Sequence, residues 1–225
     1  MNNAANRPGP ALPWLAGGAL LAGVLVLGGA YRHLPLDPVA ATFASGAVVS
    51  DSLPDFTLTN QDGQTITKSS LLGHTWIADI IFTRCAGPCP KITRQMSELQ
   101  RAFAGDDRVR LLTLTTDPVY DTTARLMRYG ERFGAQAARW WFLTGTKAQI
   151  HRLAVEGLKL AALETEPADR QAGADLFIHS TQFVLIDPEG RVRGYFDGTA
   201  PEVTDQVRQA LKTLIHAANR ATAAD

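Results

Sequence analysis

Trp76-Ile77-Ala78-Asp79-Ile80-Ile81-Phe82 runs into Thr83-Arg84-Cys85-Ala86-Gly87-Pro88-Cys89-Pro90, after which Ile92, Met96, Leu99 and Phe103 recur at helical spacing. The first seven residues are nearly continuous in apolar side chains, as a central strand covered on both faces requires. From Pro90 the period becomes that of one helix face, and proline suits the first helical turn. Cys85 and Cys89 are the only cysteines of the 225-residue chain, and they sit where strand gives way to helix. Thiols this close can form a disulfide or grip a soft metal ion. The orphan amides and dipole of a helix start favour a thiolate, so one or both thiols are expected to be more acidic than free cysteine.

Two structural explanations stand beside this one. Buried thiols behave as small hydrophobes, but packing explains neither the pairing nor the Gly-Pro between the two cysteines. A structural disulfide would close so short a loop that it stabilises the fold only slightly on chain-entropy grounds. Chemistry accounts for the pair better than either.

The chain carries 22 basic and 22 acidic side chains, with 45% hydrophobic and 20% charged residues, as in one globular domain with an added segment. Zero net charge argues against nucleic acid as a partner. The added segment is N-terminal: residues 8–31 hold no charge, and 12–30 would make a helix of roughly 28 Å, near the hydrocarbon thickness of a bilayer. The expected organisation is a cytoplasmic N-terminus at 1–11, a single-pass transmembrane anchor at 12–31, a linker at 32–50, a globular domain at 51–218 and a tail at 219–225. Arg7 and the amino terminus, set against Arg32 and His33, orient the domain to the periplasmic or extracytoplasmic side of the inner (cell) membrane. Gly28-Gly29-Ala30 also suits a signal peptidase, so cleavage stays open beside anchoring. In that compartment cysteines oxidise readily, and a dithiol needs a dedicated reductant or a metal partner.

Asn60-Gln61-Asp62-Gly63 reads as the turn of a hairpin, with Ser69 capping the short turn after it. Further patterns predict strands over 109–115 and 140–143, and helices over 121–133, stopped by Gly134, and over 146–158. A hairpin over 180–186 and 192–196 turns at Asp187-Pro188-Glu189-Gly190, and a closing helix carries Val203, Val207, Ala210, Leu211 and Leu214. This is an α/β chain with a mixed central sheet and helices on both faces; the cysteine pair at the strand-to-helix turn makes it thioredoxin-like. The polar stretch 164–175 reads as a long loop leading to His179.

Gly87-Pro88-Cys89 matches the end of the thioredoxin signature with one residue added, and Asp79 has the spacing of the buried proton-relaying carboxylate of thioredoxins. A core carboxylate held by hydrogen bonds explains Asp79 equally. No proline precedes Ser180, where thioredoxin-like reductases place one; the chain reads Phe177-Ile178-His179-Ser180-Thr181. An imidazole offered to two thiolates makes a three-coordinate site soft enough for Cu(I) and still able to hold Cu(II). Asp117 and Asp121 read as loop and helix cap with no catalytic role. His33, His74, His151 and His216 are scattered and read as solvated, Trp140-Trp141 as a core or edge contact, and Lys and Arg as a dispersed, solvated surface.

Four blocks, in order, resemble the Sco/SenC family of membrane-anchored copper-binding proteins that help assemble the copper centre of cytochrome c oxidase. Phe82-Thr83-Arg84-Cys85 through Cys89-Pro90 is similar to its Cys-x-x-x-Cys-Pro motif, and Thr116-Asp117-Pro118 with Asp121-Thr122 to its Asp-Pro-x-x-Asp-Thr stretch. His179-Ser180-Thr181 with Phe183 to Pro188 is similar to its histidine block, and Arg193-Gly194-Tyr195-Phe196-Asp197-Gly198 to the strand after it. The resemblance implies Cys85, Cys89 and His179 as copper ligands. It implies as partners the copper-binding subunit of cytochrome c oxidase, with a second periplasmic copper chaperone or a thiol reductant. Two positions depart from the family pattern: Ala86-Gly87-Pro88 replaces Pro-Asp-x, and Ile178 stands where an Asp precedes the histidine. The expected function is a copper chaperone, a binding and transfer protein and not an enzyme. The alternative is a thiol-disulfide reductase with Cys85 and Cys89 as its redox pair and Asp79 as proton relay.

Overall fold

The computed structural model describes residues 49–160, 162–164 and 177–222. The anchor expected at 12–31, nearly all of the linker 32–50, most of the loop 164–175 and residues 223–225 of the tail lie outside the described residues. Among the described residues no helix is long and apolar enough to cross a membrane.

The strands are β1 (Ser50–Ser52), β2 (Thr57–Asn60), β3 (Thr65–Thr67), β4 (Thr75–Ile81), β5 (Val109–Thr115), β6 (Trp140–Thr144), β7 (Ala162–Glu164), β8 (Phe177–His179), β9 (Gln182–Ile186) and β10 (Arg191–Asp197). The helices are α1 (Lys68–Leu71), α2 (Cys89–Ala102), α3 (Thr123–Arg132), α4 (Lys147–His151) and α5 (Val203–Thr222); α4 widens directly into a π-helical turn at Arg152–Gly157. Eight strands form one mixed sheet in the order β1-β10-β9-β4-β5-β6-β2-β3, while β7 and β8 pair in a separate two-stranded sheet.

β4 is central because every one of its residues is buried. It pairs parallel with β5, from Thr75↔Val109 to Ile81↔Thr115, and antiparallel with β9, including Ala78↔Val184. Strand periodicity sends Ile77 and Ile81 to the face covered by α2, α3 and α5, where Ile92, Met96, Leu126, Val203 and Val207 complete one core. Trp76, Ala78 and Ile80 go to the other face, under Leu71 of α1 and Ile150, Leu153 and Ala154 of the α4 segment. The mixed sheet with helices on both faces is the arrangement expected of a thioredoxin-like fold.

Three local expectations shift. The helix expected from 121 begins at Thr123, because Thr122 is its cap, accepting from the Arg125 amide at 3.4 Å, and Asp121 turns inward. Ser69 lies inside α1, and Ser70 Oγ accepts from the Thr67 amide at 3.1 Å. The strand expected over 180–186 divides. Ser180 Oγ accepts from the Gln182 amide at 3.1 Å and Thr181 O from the Gly198 amide at 2.9 Å, so the chain changes partners between β8 and β9.

Candidate metal centre and its surroundings

β4 delivers the chain to a tight turn in which the Cys85 amide donates to Phe82 O at 3.1 Å. α2 then starts at Cys89, capped by Pro88, whose carbonyl accepts from the Lys91 and Ile92 amides at 2.9 and 3.1 Å. Both cysteines are thiols, Cys85 8% exposed and Cys89 fully enclosed. They are close enough to hydrogen-bond.

Cys89 is not the acidified thiol that its helix position suggests. Its hydrogen bond to Cys85 pushes its pKa up, as does burial, and nearby negative charge at Cys85 and Asp79 adds to both. The Phe82 amide pulls the other way and is outweighed.

Asp79 is fully buried on the same side of β4. Its Oδ1 accepts from Thr113 Oγ1 at 2.6 Å, and Thr113 Oγ1 in turn accepts from Trp140 Nε1 at 2.8 Å. Two neighbours thus orient the carboxylate, which still reaches Cys89 through its field.

A polar clasp that the sequence reading did not foresee fixes the cysteine turn from outside. The Asp121 carboxylate is fully buried and accepts from the Thr83 amide at 3.0 Å, from Thr83 Oγ1, and from Thr115 Oγ1 at 2.5 Å. Thr115 Oγ1 also accepts from the Asp117 amide at 3.0 Å, and Arg84 donates to the Asp117 carboxylate. The Arg84 guanidinium lies 4.0 Å from the centre of the Tyr120 ring. Burial raises the pKa of Asp121, against the three donors that lower it. Thr113 and Thr115 carried a readable signal: hydroxyls alternate with leucine at core positions of β5, which requires polar partners inside.

His179 is the last residue of β8, opposite Ala162 of β7. β9 runs antiparallel to β4, so the N-terminal end of β9, three residues after His179, lies at the end of the sheet from which the cysteine turn departs. The placement of the imidazole lies outside the described residues. Among the described residues no three His, Cys, Asp or Glu side chains form a metal-binding group. Gly198 secures the chain after the histidine: a Cβ there would stand 2.6 Å from Thr181 O and 2.8 Å from the Phe183 ring.

The SCO1/SenC family model matches residues 47–216, most of the chain and all of this site. The chain belongs to the SCO1/SenC family. It is 31% identical over 160 residues to the SCO1 protein homolog of Bacillus subtilis (strain 168), an alignment covering 70% of this chain and 80% of that protein. The structure of BsSco, reported as a member of the Sco family of cytochrome c oxidase assembly proteins with a disulfide switch, superposes with a TM-score of 0.63 at 28% identity. That match covers 74% of this chain and 95% of BsSco. Yeast Sco1 with copper bound superposes with a TM-score of 0.61 at 26% identity, covering 76% of this chain and 94% of the yeast chain. Within the family the two thiols of the turn are a donor set suited to a soft metal ion.

Proposed function

We propose that this chain is a membrane-anchored copper chaperone. It holds copper through Cys85, Cys89 and His179 and delivers it to the copper centre of cytochrome c oxidase from the periplasmic side of the inner membrane. The observation that carries the reading is a pair of thiols in hydrogen-bond contact on a clasped strand-to-helix turn, in a family with a copper-bound member. Transfer proceeds by ligand exchange: a thiol, thioether or imidazole of the partner replaces His179 or one cysteine while copper stays coordinated. The test is copper titration of the reduced protein beside its His179→Ala variant. Near-stoichiometric copper is expected, with Cu(II) sharply weakened and Cu(I) partly retained in the variant; an unchanged Cu(II) affinity removes His179 from the site.

A second reading, thiol-disulfide reduction of the acceptor's cysteines, is favoured by the unequal exposure of the two sulfurs. Cys85 is 8% exposed and suits the attacker, while enclosed Cys89 suits the resolving thiol. It requires turnover with a disulfide substrate that survives His179→Ala. Absence of turnover, with copper bound, leaves the chaperone alone.

A further inference from the structure

The basic side chains that look dispersed along the sequence are gathered by the fold. α2 and α3 lie side by side and run in the same direction: Thr93 Oγ1 and Tyr129 OH share a hydrogen bond of 2.9 Å. Seven residues further, Gln100 donates to Gly134 O at 2.9 Å and accepts from the Gln136 amide at 2.8 Å. Both helices start at the cysteine end of the sheet. Thr93, Ser97 and Gln100 form the edge of α2 that meets α3, so helical spacing sets Arg94 and Arg101 on the solvent side of that edge. On α3 the same spacing sets Arg125, Arg128 and Arg132 beside Tyr129, on the lip facing α2. Arg101 donates to Ser97 Oγ at 2.9 Å, and the Arg132 guanidinium lies 5.0 Å from the Tyr129 ring centre. Arg125 stands 3.8 Å from the Tyr120 ring centre, beside the clasp.

Five arginines therefore line one seam. The two helices carry six basic side chains against Glu98 and Glu131. Glu131 lines a shallow hollow with Gln61, Met127 and Phe142 on the far side of α3. Among the described residues, none of the five arginines forms an ion pair with a carboxylate. Fold stability accounts for part of this arrangement: Arg101 and Arg132 lie in the last turns of their helices, and Glu98 stands four residues after Arg94 and three before Arg101. It does not call for Arg125 and Arg128, since Arg128 stands three and four residues from Arg125 and Arg132, and Arg125, in the first turn of α3, is at the wrong end of its dipole.

We infer that the seam between α2 and α3 is the docking surface for an acidic protein partner that exchanges copper with Cys85 and Cys89. The exchange rests on the copper reading above, and the docking does not. A protein is favoured over an anionic lipid surface because the seam opens at the cysteine turn, beside 78%-exposed Val119. A partner seated there meets Cys85, whereas a membrane would close the sulfurs off.

The test uses the full chain in neutral detergent micelles and two fluorescent peptides with the same Cys and His copper ligands, one flanked by Asp and Glu, the other by Ser and Gln. Anisotropy reports binding to the copper-free chain. The acidic peptide is expected to bind at least about tenfold more tightly at low salt, to lose that margin at about 0.2 M salt, and to lose it in the Arg94→Glu, Arg128→Glu double variant. Both substitutions are at exposed positions, and circular dichroism checks the fold. Equal binding of the two peptides overturns the docking surface, as does displacement of the acidic peptide by phosphatidylserine added to the micelles. Cu(I) transfer is then followed with the same peptides. If the acidic peptide binds but no copper moves, the docking surface stands and the copper reading fails.

Discussion

Asp121 and Asp187 are buried carboxylates at opposite ends of one sheet, 0% and 2% exposed, and they are held in opposite ways. Asp187 closes the β9–β10 turn. It accepts from the Arg191 amide and Nε, both at 2.8 Å, and from Arg193 Nη1 at 2.9 Å. Burial pushes its pKa up, and the amide and two guanidiniums more than reverse that, so it titrates below the usual carboxylate range. Asp121 has hydroxyls and an amide but no guanidinium, and burial wins. The far end of the sheet is built for charge neutralisation, and the cysteine end for placing Thr83, two residues before Cys85. The first arrangement serves the fold; the second serves the position of the sulfurs.

The strongest way to break this comparison is Asp187→Ala. It removes the buried carboxylate that Arg193 and half-exposed Arg191 share, which is expected to cost about 3 kcal/mol in denaturant unfolding while copper affinity stays within about twofold. A large drop in copper affinity would show that the hairpin end also controls the site. Asp121→Asn should behave in reverse. It keeps the shape but faces Thr83 and Thr115 with a donor, and is expected to cost about 1 to 2 kcal/mol and to weaken Cu(I) binding about 10- to 100-fold in a chelator competition. Unchanged affinity would demote the clasp to a structural feature. Gly198→Ala forces a Cβ against Thr181 O and is expected to cost about 1 to 3 kcal/mol. By shifting the chain after His179 it should weaken Cu(II) more than Cu(I), and equal losses in the two states would uncouple Gly198 from the histidine.

The smallest effect is the pH dependence, and its sign differs between the two ends. The depressed pKa of Asp187 gives stability that is present above the ordinary carboxylate value of about 4 and lost as pH falls through the folded value. The raised pKa of Asp121 gives a contribution present below about pH 4 and lost as pH rises through the folded value. Unfolding curves between about pH 3 and about pH 8 should lose their acid limb in Asp187→Asn and a shallow decline above about pH 4 in Asp121→Asn. The same change in both variants would mean that the two carboxylates share one environment.

Much of this was legible in the chain itself. The apolar run of β4, the period change at Pro90 and the Asp187-Pro188-Glu189-Gly190 turn place the central strand, α2 and the last hairpin, because each follows from local spacing. The clasp was not legible. Asp121 reads as a cap until Thr83, 38 residues away in sequence, donates to it. Nor does spacing reveal that the pKa of Cys89 is raised, since the neighbours that raise it come from the turn and from β4. The arginine seam required knowing that α2 and α3 lie parallel.

The margins of the main sheet, β1 and β3, are only three residues long each. So short a row of unpaired backbone groups offers another chain little to add a strand to. Among the described residues, the main sheet therefore presents a neighbouring copy with only a three-residue margin on either side, too little to seed edge-to-edge stacking there.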